Sequence, residues 1–156
     1  MKPIKWGYML LCVLISELLG FAGIYFSGDI LRIYRYIYKP ALAPSAVVFA
    51  AALPVVYLCM GIVFYMIVNE KGFKGNVQLK WFCFQLSLNL IWPVLFFRFK
   101  QFLAAALIVI LLDIVLTAAI YYLFELDGRM ACLMFPPFIW ALFSTYICVG
   151  CAIVNV

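Results

Sequence analysis

Histidine is absent from this 156-residue sequence, and charge is scarce: Asp, Glu, Lys and Arg together make up 11% of it. Without histidine the chain lacks the commonest metal ligand, the usual pH switch and the usual axial ligand of haem iron. With so few charges against 70% hydrophobic residues, a soluble domain could not clothe its core in polar surface. Eleven Lys and Arg outnumber six Asp and Glu, for a formal net charge of +5. These basic residues fall in short connections rather than on one folded face. That pattern argues against nucleic acid as a partner and suits anchors at lipid headgroups. The loops also lack cysteine. Cys12, Cys59, Cys83, Cys132, Cys148 and Cys151 all lie inside apolar segments, which excludes a disulfide-stapled secreted scaffold. Cys148 and Cys151 form a CxxC, but with no βαβ pattern or second ligand pair it reads as helix packing before it reads as a redox or metal site.

What the sequence does contain is five long apolar runs, at 6–27, 46–69, 81–97, 101–124 and 131–154. Each is near the roughly 20 residues a helix needs to cross about 30 Å of hydrocarbon. Backbone groups in lipid must be satisfied within the segment, and the alternation of barrel strands is missing. The fold expected is all-α: one polytopic domain, a bundle of five transmembrane helices spanning 1–156, with the lipid bilayer as its first partner. Lys2 and Lys5 before the first run resemble a signal peptide, but apolar character continues past Glu17 to Tyr25, so a first membrane helix is expected. The connections are 28–45, 70–80 (with Lys74, Gly72 and Gly75), 98–100 and 125–130. Lys2, Lys5, Lys71, Lys74, Lys80 and Arg129 fall on the N-terminal side, against Arg32, Arg35, Lys39, Arg98 and Lys100 on the other. Six against five leaves the positive-inside rule undecided. Trp6 and Trp81 begin spans on the N-terminal side, as an aromatic belt would.

Two acids, Glu17 and Asp113, lie near the middle of spans with no cation at similar depth. Each is expected to be neutral or to face a wet cavity, as a proton relay or substrate contact, or as an acid hydrogen-bonded to a neighbouring helix. In the third span Gln85, Asn89, Trp92 and Phe96 recur at three- and four-residue steps and share a face. That face is either a ligand wall or interhelical glue. In the fifth span Pro136, Trp140, Phe143 and Ser144 share a face, and in the second Leu53, Tyr57 and Gly61 do, beside the kink site Pro54. The segment 32–39 alternates basic and aromatic residues, as an interfacial segment or a lid would. The small residues at 20–23 and 104–106 suit helix packing or a dimer face.

These residues stand in a recognisable order. Tyr34 is followed by KPALAPS with Lys39, Pro40 and Pro44. VFAAALPVVYLCMG carries Phe49, Val55, Tyr57, Met60 and Gly61. QLSLNLIWPVLFF carries Gln85, Asn89, Trp92, Phe96 and Phe97. FPPFIWALFSTY carries Pro136, Trp140, Phe143, Thr145 and Tyr146. Over nearly its whole length the chain resembles the translocator protein family, the tryptophan-rich sensory proteins or peripheral-type benzodiazepine receptor-like proteins. The resemblance implies a five-helix bundle, often a homodimer, with a cavity near one membrane face closed by the first loop. It implies porphyrin, other tetrapyrrole or sterol-like ligands, with no cofactor required and porphyrin or haem as ligand. A bacterial plasma membrane is the compartment expected. The ligand-binding residues expected are Tyr34, Lys39, Pro44, Leu53, Tyr57, Asn89, Trp92, Trp140 and Phe143, with Lys39 or Arg35 meeting anionic propionates. Some bacterial members of the family degrade protoporphyrin in light, an activity tied to cavity tryptophans.

The sequence departs from the family pattern at several of these positions. Ile33 replaces a Trp before Tyr34, Leu42 an aromatic, Ser45 a Pro, and Cys148 an Asn; Leu53 stands where the family has a cavity Trp, so that Trp140 alone remains of the pair tied to porphyrin breakdown. No basic residue follows Arg129 to complete a sterol-recognition pattern after Tyr146, although Leu31, Tyr34 and Lys39 satisfy that loose pattern elsewhere. Three readings follow. The first is a receptor or carrier of flat apolar ligands. The second is a light- or oxygen-dependent porphyrin-degrading enzyme using Trp140, weakened by Leu53. The third is a proton-coupled transporter using Glu17 and Asp113.

Overall fold

Most of the long helices begin or end on an identifiable local signal. The computed structural model describes residues 4–73 and 76–155, with backbone alone at residues 49 and 50. Lys2, Lys74 and Gly75, and the side chain of Phe49, lie outside the described residues. α1 (Trp6–Ser27) stops at Gly28, whose φ of +82° takes the chain out of the helix. Asp29 then starts α2 (Ile30–Tyr36) by accepting the Arg32 amide at 3.0 Å. Ser45 caps α3 (Ala46–Lys71) at the Val48 amide, and Gly72, with φ +74°, ends it. Asn76 accepts the Leu79 amide at 3.0 Å and opens α4 (Val77–Pro93). α5 covers Phe102–Leu126, α6 Gly128–Leu133 and α7 Phe135–Val154.

The third span differs at both ends from the sequence expectation. It starts at Val77 rather than 81, because the Asn76 cap makes the polar residues Gln78 and Lys80 helical. At its other end Pro93, which cannot donate an amide hydrogen, is followed by a π-helical turn, Val94–Arg98, with Phe99 N bonding Val94 O at 3.2 Å. The segment 32–39, expected at the interface or as a lid, lies partly in the short helix α2. Pro136 lies in the first turn of α7, where a missing N–H is harmless.

Among the described residues five helical stretches are long and apolar enough to cross a membrane: Trp6–Ser27, Ala46–Lys71, Val77–Arg98, Phe102–Leu126 and Gly128–Val154. Their outward faces carry large apolar side chains such as Leu10, Leu14, Leu18, Phe21, Leu103, Leu107 and Ile114. Water would not tolerate such a surface, and lipid would. The chain is an integral, multi-pass, all-α membrane protein. Its interior is built by α1 against α3, α4 against α5, and α5 against α7. Phe64 stacks on Phe82 between α3 and α4 (5.7 Å), and Trp81 on Tyr122 between α4 and α5 (5.9 Å). Trp81 is thus turned into the bundle, while Trp6 remains on the outside.

The small residues at 20–23 and 104–106 serve packing within the chain. Gly20 and Gly23 are buried, as are Ala105 and Ala106. A Cβ on Gly20 would come within 2.5–2.8 Å of the Tyr57 ring, and one on Gly23 would touch Leu90 at 3.4 Å.

Candidate functional site

Between α1, α3 and α4, beneath α2, the helices leave a narrow cleft. Gly20, Gly23 and Ile24 form one wall, Leu53 and Tyr57 the second, and Asn89, Trp92 and Pro93 the third; Phe97 and Ile30 close the end. Missing side chains make the cleft. Gly20 lets the Tyr57 ring lie against the backbone of α1, and Gly61, one turn further along α3, lets that helix approach α1 closely enough that a Cβ would sit 2.6 Å from Val13 Cα. The periodicity of α3 and α4 places Leu53 with Tyr57 and Asn89 with Trp92 on faces that meet here. The free space is only about 20 Å³, room for about one water molecule. A pocket holding a drug-sized ligand has on the order of 300–1,000 Å³, so the cleft as it stands is too small for one.

The polar group in the cleft is held from within its own helix. Asn89 Nδ2 donates to Gln85 Oε1 at 3.0 Å and to Gln85 O at 3.3 Å. Gln85 is fully buried. The amide pair is therefore an i, i+4 brace along α4 rather than a bond between helices. Trp92 is also buried, edge-on to Phe96 (6.4 Å), which meets Phe97 (4.8 Å); Phe97 in turn tilts against Tyr34 (6.4 Å). This aromatic run leads from the cleft to its cover.

The cover is α2 with the segment 37–45, and it is fastened. Tyr34 is buried, and burial pushes its phenol up to about 12, with smaller contributions from the thiols of Cys151 and Cys148. Lys39 Nζ donates to Tyr34 O (2.7 Å) and Ile37 O (3.0 Å) and lies 5.0 Å from the Tyr34 ring centroid. The ammonium expected to meet a ligand's carboxylates instead pins the cover to itself. Arg35 is exposed at the end of α2. From α7, Asn155 Nδ2 donates to Tyr38 O at 2.9 Å, the Tyr146 hydroxyl donates to Ala41 O, and Cys151 Sγ reaches Tyr38 O at 3.5 Å. Pro40 packs onto Gly150 so closely that a Cβ there would fall 2.5 Å from Pro40 Cγ. Pro44 is half-buried just before the Ser45 cap.

Of the nine expected ligand residues, Leu53, Tyr57, Asn89 and Trp92 line the cleft, Tyr34, Lys39 and Pro44 belong to its cover, and Trp140 and Phe143 are not in its lining. Trp140 and Phe143 lie 5.9 Å apart on α7, half-buried. The inward stripe of α7 is Pro137, Ala141, Ser144, Ile147, Cys148 and Cys151, one position round from the Pro136–Trp140–Phe143 face read from the sequence, with Ser144 shared. Small residues at three- and four-residue steps were the signal for that stripe. Cys148 and Cys151 lie in it as free thiols. Sequence reasoning also missed Gly20, Gly23, Ile24, Ile30, Pro93 and Phe97 as cleft residues; the glycines read as helix packing, and nothing in the types of the others marks them.

The two intramembrane acids occupy different interfaces. Glu17 on α1 lies within electrostatic reach of Tyr57. Asp113 on α5 accepts the Thr145 hydroxyl of α7 at 2.6 Å through Oδ2, while its buried Oδ1 has no hydrogen-bond partner among the described residues. Thr145→Val should remove that bond and cost about 1–3 kcal/mol of stability, whereas Asp113→Leu combined with Thr145→Val should recover most of the loss, since two apolar groups leave nothing unsatisfied. Thermal unfolding of the four proteins in detergent tests this. Additive losses would show that the two side chains do not interact.

The comparison with known proteins agrees with the arrangement. The sequence model of the TspO/MBR family matches residues 12–153. The chain is 33% identical over 129 residues to the tryptophan-rich protein TspO of Archaeoglobus fulgidus, covering 81% of this chain and 83% of that one. It is 33% identical over 136 residues to the translocator protein of Bos taurus (84% and 80%). It is also 27% identical over 112 residues to the tryptophan-rich sensory protein of Cereibacter sphaeroides (72% and 70%).

Proposed function

Because this chain belongs to the TspO/MBR family, we propose that it is a membrane receptor or carrier that takes a flat apolar ligand, a porphyrin or related tetrapyrrole, into the cleft between α1, α3 and α4. The observation that supports this most directly is the convergence of Leu53, Tyr57, Asn89 and Trp92 under a fastened cover. Apolar and aromatic walls would hold the face of a macrocycle, and the Asn89 amide, braced by Gln85, would meet a polar edge. The closed cleft cannot admit such a ligand, so binding requires the cover to lift and the Tyr57 ring to swing from Gly20. Ligand then selects an open state, and association is slower than diffusion.

Titration of the purified protein with protoporphyrin in the dark tests the reading. Saturable quenching of tryptophan fluorescence is expected, weakened at least tenfold, about 1.4 kcal/mol, by Trp92→Ala and unchanged by Trp140→Phe. Equal affinity in wild type, Trp92→Ala and Asn89→Leu would sink it. Illumination separates the enzymatic reading: new absorbing products that vanish in Trp140→Phe would identify light-driven degradation through that residue. Trp92 is the indole in the cleft lining, so products that vanish in Trp92→Phe instead would place the chemistry there.

A further inference from the structure

Outside the cleft, Arg98 joins two unexplained surfaces. On one side is an open apolar groove of about 570 Å³, lined by Phe26, Leu90, Ile91, Val94, Leu95 and Phe99. On the other is a polar vestibule of about 750 Å³ between α2 and the turn before α5, whose lining includes Arg32, Lys100, Tyr36 and Asn155. Arg98 lines both. The π-helical turn after Pro93 carries Arg98 to this boundary.

The vestibule has three cations against one carboxylate, Asp29, and that carboxylate is engaged in capping α2. Among the described residues Arg32, Arg98 and Lys100 have no ion-pair partner. Among the described residues the side chain of Arg98 makes one long bond, from Nη1 to Phe26 O at 3.4 Å, leaving most of its five donors unused. Lys100 holds φ at +53°, in the left-handed region that favours glycine. That conformation ends the π-helical turn, with Gln101 N donating to Leu95 O at 3.0 Å, and it leaves Lys100 exposed at the mouth of the cationic vestibule.

We infer that this face binds an anionic phospholipid, its phosphate held by Arg98 with Lys100 and Arg32 and one acyl chain lying in the groove of Leu90, Ile91, Val94 and Leu95. Charge complementarity selects the headgroup, since a guanidinium and an ammonium at the end of a spanning helix suit a phosphodiester at headgroup depth. The adjoining groove runs along membrane-spanning residues and is apolar, which suits a lipid tail rather than a free anion. The vestibule shares Phe97 with the cleft and α2 with its cover, but lipid retention is read with no porphyrin present, so the two readings fail separately.

Native mass spectrometry of the detergent-purified protein, titrated with phosphatidylglycerol or phosphatidylcholine of identical chains, provides the test. Phosphatidylglycerol should be retained at least tenfold better. Arg98→Gln with Lys100→Gln should bring its retention down to that of phosphatidylcholine, and Ile91→Trp, which fills the groove, should weaken both lipids. Lys71→Gln with Lys80→Gln, on the opposite membrane face, should change neither. Lys100→Asn relieves the backbone strain while deleting the charge, so Tm should hold or rise as phosphatidylglycerol retention falls. Equal retention of the two lipids overturns the inference, as does an equal loss in the Lys71/Lys80 variant. Displacement of lipid by soluble glycerol phosphate at similar concentration would reduce the site to an anion site, and loss of retention confined to variants with lowered Tm would reduce it to misfolding.

Discussion

Gly61→Ala is expected to destabilise the protein by about 3 kcal/mol, although alanine is the better helix former. An isolated exchange of glycine for alanine inside a helix gains roughly 1 kcal/mol. Here the new methyl would fall 2.6 Å from Val13 Cα, 3.2 Å from Val13 Cγ2 and 3.3 Å from Cys12 O. Two of those three are backbone atoms, so no rotamer change relieves the clash and α1 must move off α3. Overpacking typically costs about 1–3 kcal/mol, and a contact with rigid backbone belongs at the upper end. Gly7 is the control. It lies in the first turn of α1 with nothing within 4 Å of its missing Cβ, so Gly7→Ala should be neutral or slightly stabilising. Thermal unfolding in detergent should show shifts of opposite sign. A Gly61→Ala protein as stable as wild type would mean that α1 and α3 are not in the contact described, and the cleft between them would lose its geometry.

The second large effect is kinetic. Gly150→Ala should raise the association rate of protoporphyrin more than tenfold while leaving the bundle folded. The added methyl would meet Pro40 at 2.5 Å from Cγ and 2.6 Å from Cβ. Pro40 belongs to the cover, so the cheaper response is for segment 37–45 to lift rather than for α7 to shift. Lifting loosens the bonds of Asn155 to Tyr38 and of Tyr146 to Ala41. If binding needs an open state, its apparent affinity scales with the open fraction, and destabilising the closed state by about 1.4 kcal/mol raises that fraction tenfold. Stopped-flow quenching in the dark reads the rate directly. An unchanged rate with unchanged affinity would show that ligand enters without moving the cover, and Asn155→Ala should then be silent as well.

Much of the architecture was legible because hydropathy is a length measurement: five apolar runs count five crossings. The ends were less legible. The third span gained residues 77–80 because one side-chain bond from Asn76 outweighs the polarity of Gln78 and Lys80. Leu53, Tyr57, Asn89 and Trp92 could be grouped beforehand because helical periodicity puts each pair on one face, and the family resemblance said which faces meet. The α7 face could not be read as securely. Inside a bilayer an apolar residue is equally content toward lipid or toward protein, so hydrophobicity does not choose the inward stripe. Shape chose it, and the small residues Ala141, Ser144, Cys148 and Cys151 turned inward while Trp140 moved to the flank. Lys39 shows the same limit for charge. Its type suited an anionic ligand, but residue type could not show that, with no ligand present, it donates to the carbonyls of Tyr34 and Ile37.

The amino-acid sequence by itself determined that this protein lives in lipid, crosses it as helices and has no histidine chemistry, because solvent preference and composition are properties of residues one at a time. Only the tertiary structure decided that the cleft is shut, that Gly20 seats Tyr57, that the cover is tied to α7 and that Arg98 lies between a groove and a cationic vestibule. Each of these depends on distances of a few ångströms between segments far apart in the chain, set by which helices can approach backbone to backbone.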